Sequence, residues 1–108
     1  IYFNKDNLKI ESGDLKKYIF TTENGNTFET NFCTNCGTSL FWALSHMKGL
    51  IGVAGGTYDP PSFWFDIQRE IFKRTKADFV SINCPENYET SPTYKPKTKD
   101  EARLDGKR

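Results

Sequence analysis

Long apolar runs, an even cysteine count and a charge excess of either sign are all missing from this sequence, and each absence removes a class of protein. No stretch approaches the roughly 20 apolar residues that a membrane-crossing helix requires, so no membrane partner is expected. Three cysteines cannot pair completely, and no charged-then-apolar leader opens the sequence as given. A secreted disulfide scaffold is therefore not expected, and a reducing, cytoplasmic setting is. The formal charge is +1, with residues 89–108 at net +2 and the remainder at net −1. Neither part is built to wrap nucleic acid by charge. Histidine is nearly absent too, with one copy, so soft metal ligands are scarce.

What the chain has instead is rings. Nine Phe, five Tyr and two Trp make 15% of the 108 residues aromatic. Rings suit a pleated, half-buried surface, so a mainly β fold is expected. At 12.4 kDa the chain is one domain, near the size at which small folds recruit a metal or a disulfide.

In YIFTTENGNTFETNF, the dipeptide Asn24-Gly25 favours a two-residue hairpin turn, because both central positions then need positive φ. Strands are expected at 17–22 and 27–32. That loop sets Thr21 opposite Phe28 and Ile19 opposite Thr30, so Ile19, Phe28 and Phe32 share one face and Tyr18 and Phe20 the other. A hairpin with apolar groups on both faces needs cover on both, from further chain or from a second copy in a homodimer. SLFWAL reads as the next strand and GLIGVAGG, at 49–56, as a further one bounded by glycines. Asp59-Pro60-Pro61 is expected to stop the strand and start one helical turn. Strands are also expected at 69–73 and over DFVSI. Residues 1–85 read as one domain and 86–108 as a polar, proline-broken tail or surface strap, with Thr98 to Glu101 able to cap a short helix.

Cys33-Thr34-Asn35-Cys36-Gly37 has the form of a zinc knuckle at a hairpin tip. Two intervening residues let both thiolates reach one ion, and the glycine takes the positive φ that closes the turn. Two reduced cysteines in a tight turn, or a redox pair, are the alternatives. A tetrahedral site needs four ligands. His46 and Cys84 are the remaining soft candidates, but the first reads as an exposed turn histidine and the second as a small, half-buried residue. Cys33 and Cys36 thus read as metal ligands forming half a site.

The segments LKIESGDLKKYIFTTENGNTFETNFCTNCGTSLFW, GLIGVAGGTYDPPSFW and REIFKRTKADFVSI together resemble the later two-thirds of the glutathione-dependent formaldehyde-activating enzyme-like domain, also called the centromere-protein-V-like domain. The resemblance covers roughly residues 2 to 82. It implies an Mss4-like β-tent built from zinc-knuckle hairpins and small antiparallel sheets, here without its N-terminal part. It further implies a structural zinc held by four cysteines, of which Cys33 and Cys36 are two. The family's other cysteine pair and its catalytic cysteine cluster have no match in this sequence, so no catalytic residue is carried over. Ile1 falls just after where that cluster would lie, which implies a fragment or a chain lacking its leading part.

The resemblance implies a zinc-dependent carbon–sulfur lyase acting on glutathione or a related thiol adduct, with zinc as cofactor and a small thiol as partner. The alternative is a non-catalytic, zinc-stabilised protein-binding module of the Mss4-like type. A nucleic-acid-binding zinc ribbon ranks third, against the charge balance. Lys73, Arg74 and Lys76 would meet glutathione carboxylates or form a solvated charged turn. Trp42, Trp64 and Phe65 would line a pocket or pack in the core.

Overall fold

A computed structural model describes residues 1–96 of the protein, so the expected cap at Thr98 to Glu101 lies outside the described residues. The chain is mainly β, as composition implied, and divides into two compact units at Trp64/Phe65.

The first unit holds a five-stranded antiparallel sheet in the order β1-β5-β4-β3-β2. Its strands are β1 (Tyr2–Asn4), β2 (Leu15–Thr21), β3 (Thr27–Cys33), β4 (Ser39–Leu44) and β5 (Leu50–Val53). The hairpin expected around Asn24-Gly25 forms, but its register is one residue off the expected one. Thr21 pairs with Thr27 and Phe20 with Phe28. Asn24 is not among the residues with positive φ, which excludes the two-residue turn that needs it. Instead Gly25 alone takes φ 78° and donates its N–H to the Thr22 carbonyl at 2.8 Å, while the Thr22 N–H reaches the Asn26 carbonyl at 2.7 Å. The loop is Glu23-Asn24-Gly25, a tight turn followed by a left-handed residue. The Thr22 hydroxyl completes it by accepting the Asn26 N–H at 3.2 Å.

One residue of slip moves every side chain to the other face. Tyr18 and Phe20 therefore lie with Phe28, and Ile19 lies with Glu29, reversing the expected faces. Further along, Asn31 pairs with Phe41 but Phe32 with Ser39, so Leu40 is an extra residue on β4 beside the knuckle. Trp42 pairs with both Thr30 and Gly52, and Tyr2 with Gly52. The result is a row of rings across one face. Tyr18 stacks on Phe20 at 5.8 Å, Phe20 on Phe28 at 5.1 Å and Phe28 on Trp42 at 6.3 Å; Tyr2 then meets Trp42 edge-on at 6.1 Å. Gly52 is the bare floor beneath this row, since a Cβ there would overlap the Trp42 indole. The indole N–H donates to the Tyr2 hydroxyl at 3.1 Å.

The opposite face carries Phe3, Ile51, Ala43, Phe41 and Asn31. Here Ile51, 9% exposed, is the one large apolar side chain among those described that is buried. On the aromatic face Tyr18 is 59% and Phe20 41% exposed. The expected helical turn at the prolines is displaced upstream: a single 3-10 turn spans Gly55–Thr57, closed by the Thr57 hydroxyl donating to the Ala54 carbonyl at 2.7 Å.

In the second unit the expected strand at 69–73 shrinks to β6 (Arg69–Glu70), followed by a 3-10 turn at Lys73–Thr75. β6 pairs in parallel with β7 (Glu86–Asn87), not antiparallel. DFVSI forms no strand, and Phe79 stands 92% exposed. Residues 86–90 run alongside 68–74, with the Tyr88 N–H on the Glu70 carbonyl at 3.0 Å and the Phe72 N–H on the Thr90 carbonyl at 2.6 Å. No helix among the described residues is long and apolar enough to cross a membrane.

Candidate functional site

The Cys33–Cys36 turn sits where β3 ends and β4 begins, so two paired strands fix both of its ends. Inside it the Gly37 N–H donates to the Cys33 carbonyl at 2.9 Å, and the Cys33 N–H to the Thr38 carbonyl at 3.0 Å. Gly37 takes φ 76°, where an L side chain is strained, which answers to the glycine in the motif. A second clamp comes from the entry to β2: the Asp14 carbonyl accepts both the Thr34 N–H and the Thr34 hydroxyl, each at 3.2 Å.

The Cys33 thiol is a hydrogen-bond partner of the Cys36 sulfur, so the two sulfurs lie together. Cys36 Sγ lies 3.2 Å from the Thr38 hydroxyl. That hydroxyl, then the Thr38 backbone N–H and the Cys33 thiol, draw the Cys36 thiol below its ordinary range. Cys36 is exposed and Cys33 half-buried, and neither is in a disulfide. The turn thus offers two converging soft donors, one biased toward thiolate. That is the donor chemistry zinc takes, and it fills half of a tetrahedral set.

The other candidates lie elsewhere. His46 follows β4 whereas the knuckle precedes it, which puts them at opposite ends of a strand roughly 20 Å long. Cys84 belongs to the second unit, where its thiol donates to the Glu86 carbonyl at 3.2 Å. Among the described residues no group of three or more His, Cys, Asp or Glu gathers around one point.

The basic turn of the second unit is engaged with its own neighbours. Lys73 faces Glu89 at 3.6 Å, and Lys76 faces the buried Glu70 at 2.9 Å. The Arg74 guanidinium lies over the Tyr94 ring at 5.3 Å. Trp42 belongs to the aromatic row, while Trp64 is 58% exposed with Tyr58 edge-on at 5.9 Å. Phe65 is half-buried. A shallow recess of about 220 Å³ is lined by Phe3, Asn7, Leu8, Val53 and Tyr58. Partial desolvation there pushes the Tyr58 phenol up from its ordinary range.

Reading the sequence by residue type found the two thiols but missed Thr38 and Asp14, which hold them. The signal for Thr38 was present in CGTS, since a hydroxyl two residues after a cysteine can reach its sulfur. Asp14 acts through its backbone carbonyl, and residue type says nothing about that.

No curated protein and no solved structure matches the chain. A family profile does, over residues 1–75, a span that contains the whole sheet, the knuckle and the recess. The chain therefore belongs to the family described as glutathione-dependent formaldehyde-activating enzyme.

Proposed function

We propose that this protein serves a zinc-dependent carbon–sulfur lyase that acts on glutathione or a related thiol adduct, with Cys33 and Cys36 supplying half of a structural zinc site. The observation that carries the reading is the pair of converging thiols, held by two strands and by the Asp14 and Thr38 contacts, inside the span that matches the family. In the forward reaction the thiol sulfur bonds to the carbonyl carbon, the carbon–oxygen double bond becomes a single bond, and the thiol proton ends on that oxygen. The reverse reaction splits the adduct into thiol and carbonyl compound.

Zinc, when bound, supplies a positive centre that favours thiolate over thiol. Cys33 and Cys36 have a structural part in this reading: they tie the β3–β4 connection, and through it the end of the sheet. No residue of the chain is assigned to the reacting atoms. A small thiol is the partner, and neither nucleic acid nor a membrane takes part.

Two measurements on the purified protein test this. Metal analysis beside native mass spectrometry is expected to find zinc, and the double variant Cys33→Ser, Cys36→Ser is expected to carry one equivalent less. Exchange between formaldehyde, glutathione and their adduct, followed by NMR, is expected to be faster with protein and to saturate with glutathione. Unchanged zinc content in the double variant together with no acceleration would overturn the reading.

A further inference from the structure

β2 is an edge strand, last in the five-strand order, and it is the sheet's most exposed apolar segment: Tyr18 is 59%, Ile19 53% and Phe20 41% exposed. Its backbone is half used. The Thr22 N–H bonds to Asn26 across the hairpin, and at the other end Asp14 accepts the Thr34 N–H. In an antiparallel ladder residues alternate between bonding inward and outward. The even residues Lys16, Tyr18 and Phe20 thus bond to β3, and the odd residues Leu15, Lys17, Ile19 and Thr21 present N–H and C=O groups outward. Among the described residues no strand pairs with this seven-residue edge, and an edge of this kind is a template for another strand.

We propose that a second copy of this chain occupies that edge, β2 against β2, antiparallel about a two-fold axis at Tyr18. The strand's own sequence, LKKYIFT, selects this partner and this register. With Tyr18 opposite the partner's Tyr18, Leu15 pairs with the partner's Thr21 and Lys17 with the partner's Ile19. All four outward-bonding residues then find outward-bonding mates, which gives eight hydrogen bonds across the axis.

The charges agree with the same register. Lys16 lies opposite the partner's Phe20 and Lys17 opposite the partner's Ile19, so each lysine stem covers an apolar side chain and Lys16 meets a ring face. Moving the axis to Lys17 or Lys16 would set like charges against each other. Moving it to Ile19 leaves Leu15 unpaired and gives six hydrogen bonds. Lysine on an edge strand ordinarily discourages pairing; here Lys17 is already bridged to Glu29 within its own sheet at 2.9 Å.

The two copies would form one ten-stranded sheet whose ring rows run on the same face and meet at Tyr18. Because Cys33 lies beside Leu15, the two knuckles would sit at opposite ends of the paired strands, offset by roughly 20 Å along them. The dimer therefore forms without metal, and its failure would leave the zinc reading untouched.

Sedimentation equilibrium of the purified protein, with EDTA and with zinc, is expected to give the same dimer in both. Ile19→Pro removes an outward N–H, and Ile19→Lys sets a lysine opposite the partner's Lys17; each is expected to raise the dimer dissociation constant about tenfold or more. Tyr18→Cys places two thiols directly opposite at the axis and is expected to crosslink the dimer under mild oxidation. Thr21→Cys, opposite the partner's Leu15, is expected not to crosslink. A monomer at every concentration would overturn the proposal. So would a dimer that survives Ile19→Lys, or one that crosslinks equally through both cysteine variants.

Discussion

The five-stranded sheet of residues 1–64 and the short parallel pair of residues 65–96 hold the chain by different means. In the sheet, β2 and β3 pair over seven positions and β3 and β4 over five, and a row of rings stacks across the strands. In the second unit the ladder is two residues long. Beyond it come scattered main-chain bonds, such as the Phe72 N–H to the Thr90 carbonyl, and side-chain contacts: the Arg69 Nε–H donates to Glu86 at 2.6 Å, and its guanidinium lies 5.7 Å from the centre of the Tyr88 ring. Phe72 meets Tyr94 edge-on at 5.4 Å. A period-two ladder is redundant, so one weak position is carried by its neighbours. A few charge and ring contacts have no such reserve, and each depends on a particular partner.

That difference can be broken or sharpened by mutation. The largest effect is expected from Trp42→Ala, which removes the ring that joins Phe28 to Tyr2 in the row together with the Tyr2 hydrogen bond. It should cost about 3 kcal/mol, read as a lower midpoint in urea unfolding. Gly52→Ala drives a methyl into the same indole and should cost about 2 kcal/mol in the same assay. A midpoint unchanged by either would show that the row does not hold the sheet.

In the second unit, Glu70→Gln leaves Lys76 without its charge partner. Because the Lys76 side chain is 23% exposed and reaches water, the expected cost is about 1 kcal/mol. Amide exchange at residues 69–75 and 86–90 measures it, and unchanged protection there would refute the pair's role.

The smallest effect concerns pH. The Arg69 hydrogen bond and charge hold Glu86 below the ordinary carboxylate range, with a smaller contribution from the Tyr88 hydroxyl. A lowered folded-state value contributes stability that is present above the ordinary value of 4.5 and is lost as pH falls through the folded value. The β6–β7 pairing should therefore loosen slightly as pH drops below 4.5. NMR shifts of the Arg69 Nε–H would follow it, and Glu86→Gln should abolish the dependence.

How much of this was legible in the sequence follows the same division. Alternation and turn chemistry announced β2 to β5, and CxxCG announced the knuckle. Two-residue turn chemistry misplaced the register by one, because Asn24-Gly25 also suits a three-residue loop in which Gly25 alone is left-handed. Thr22, whose hydroxyl favours that loop, is an unremarkable residue in the strand pattern. β6 and β7 were harder still. Their pairing rests on Arg69 finding Glu86 across sixteen intervening residues, and no local period encodes such a meeting. DFVSI has β-forming residues but no neighbouring strand to pair with among those described, which is why propensity misled there.

The hairpin loop at 23–25 sits where the parity of this sheet is decided. A one-residue slip of β2 against β3 would send Tyr18 and Phe20 to the side of Glu29 and Asn31, whereas a slip of two would keep the faces. An added residue can be taken up by such a slip, if the loop keeps three residues, or by a four-residue loop, if the strands keep their pairing. Inserting one glycine after Gly25 shows which is stiffer: seven paired positions and the ring row are expected to hold, so the contact between Phe20 and Phe28 should persist, and its loss would show that the loop sets the register.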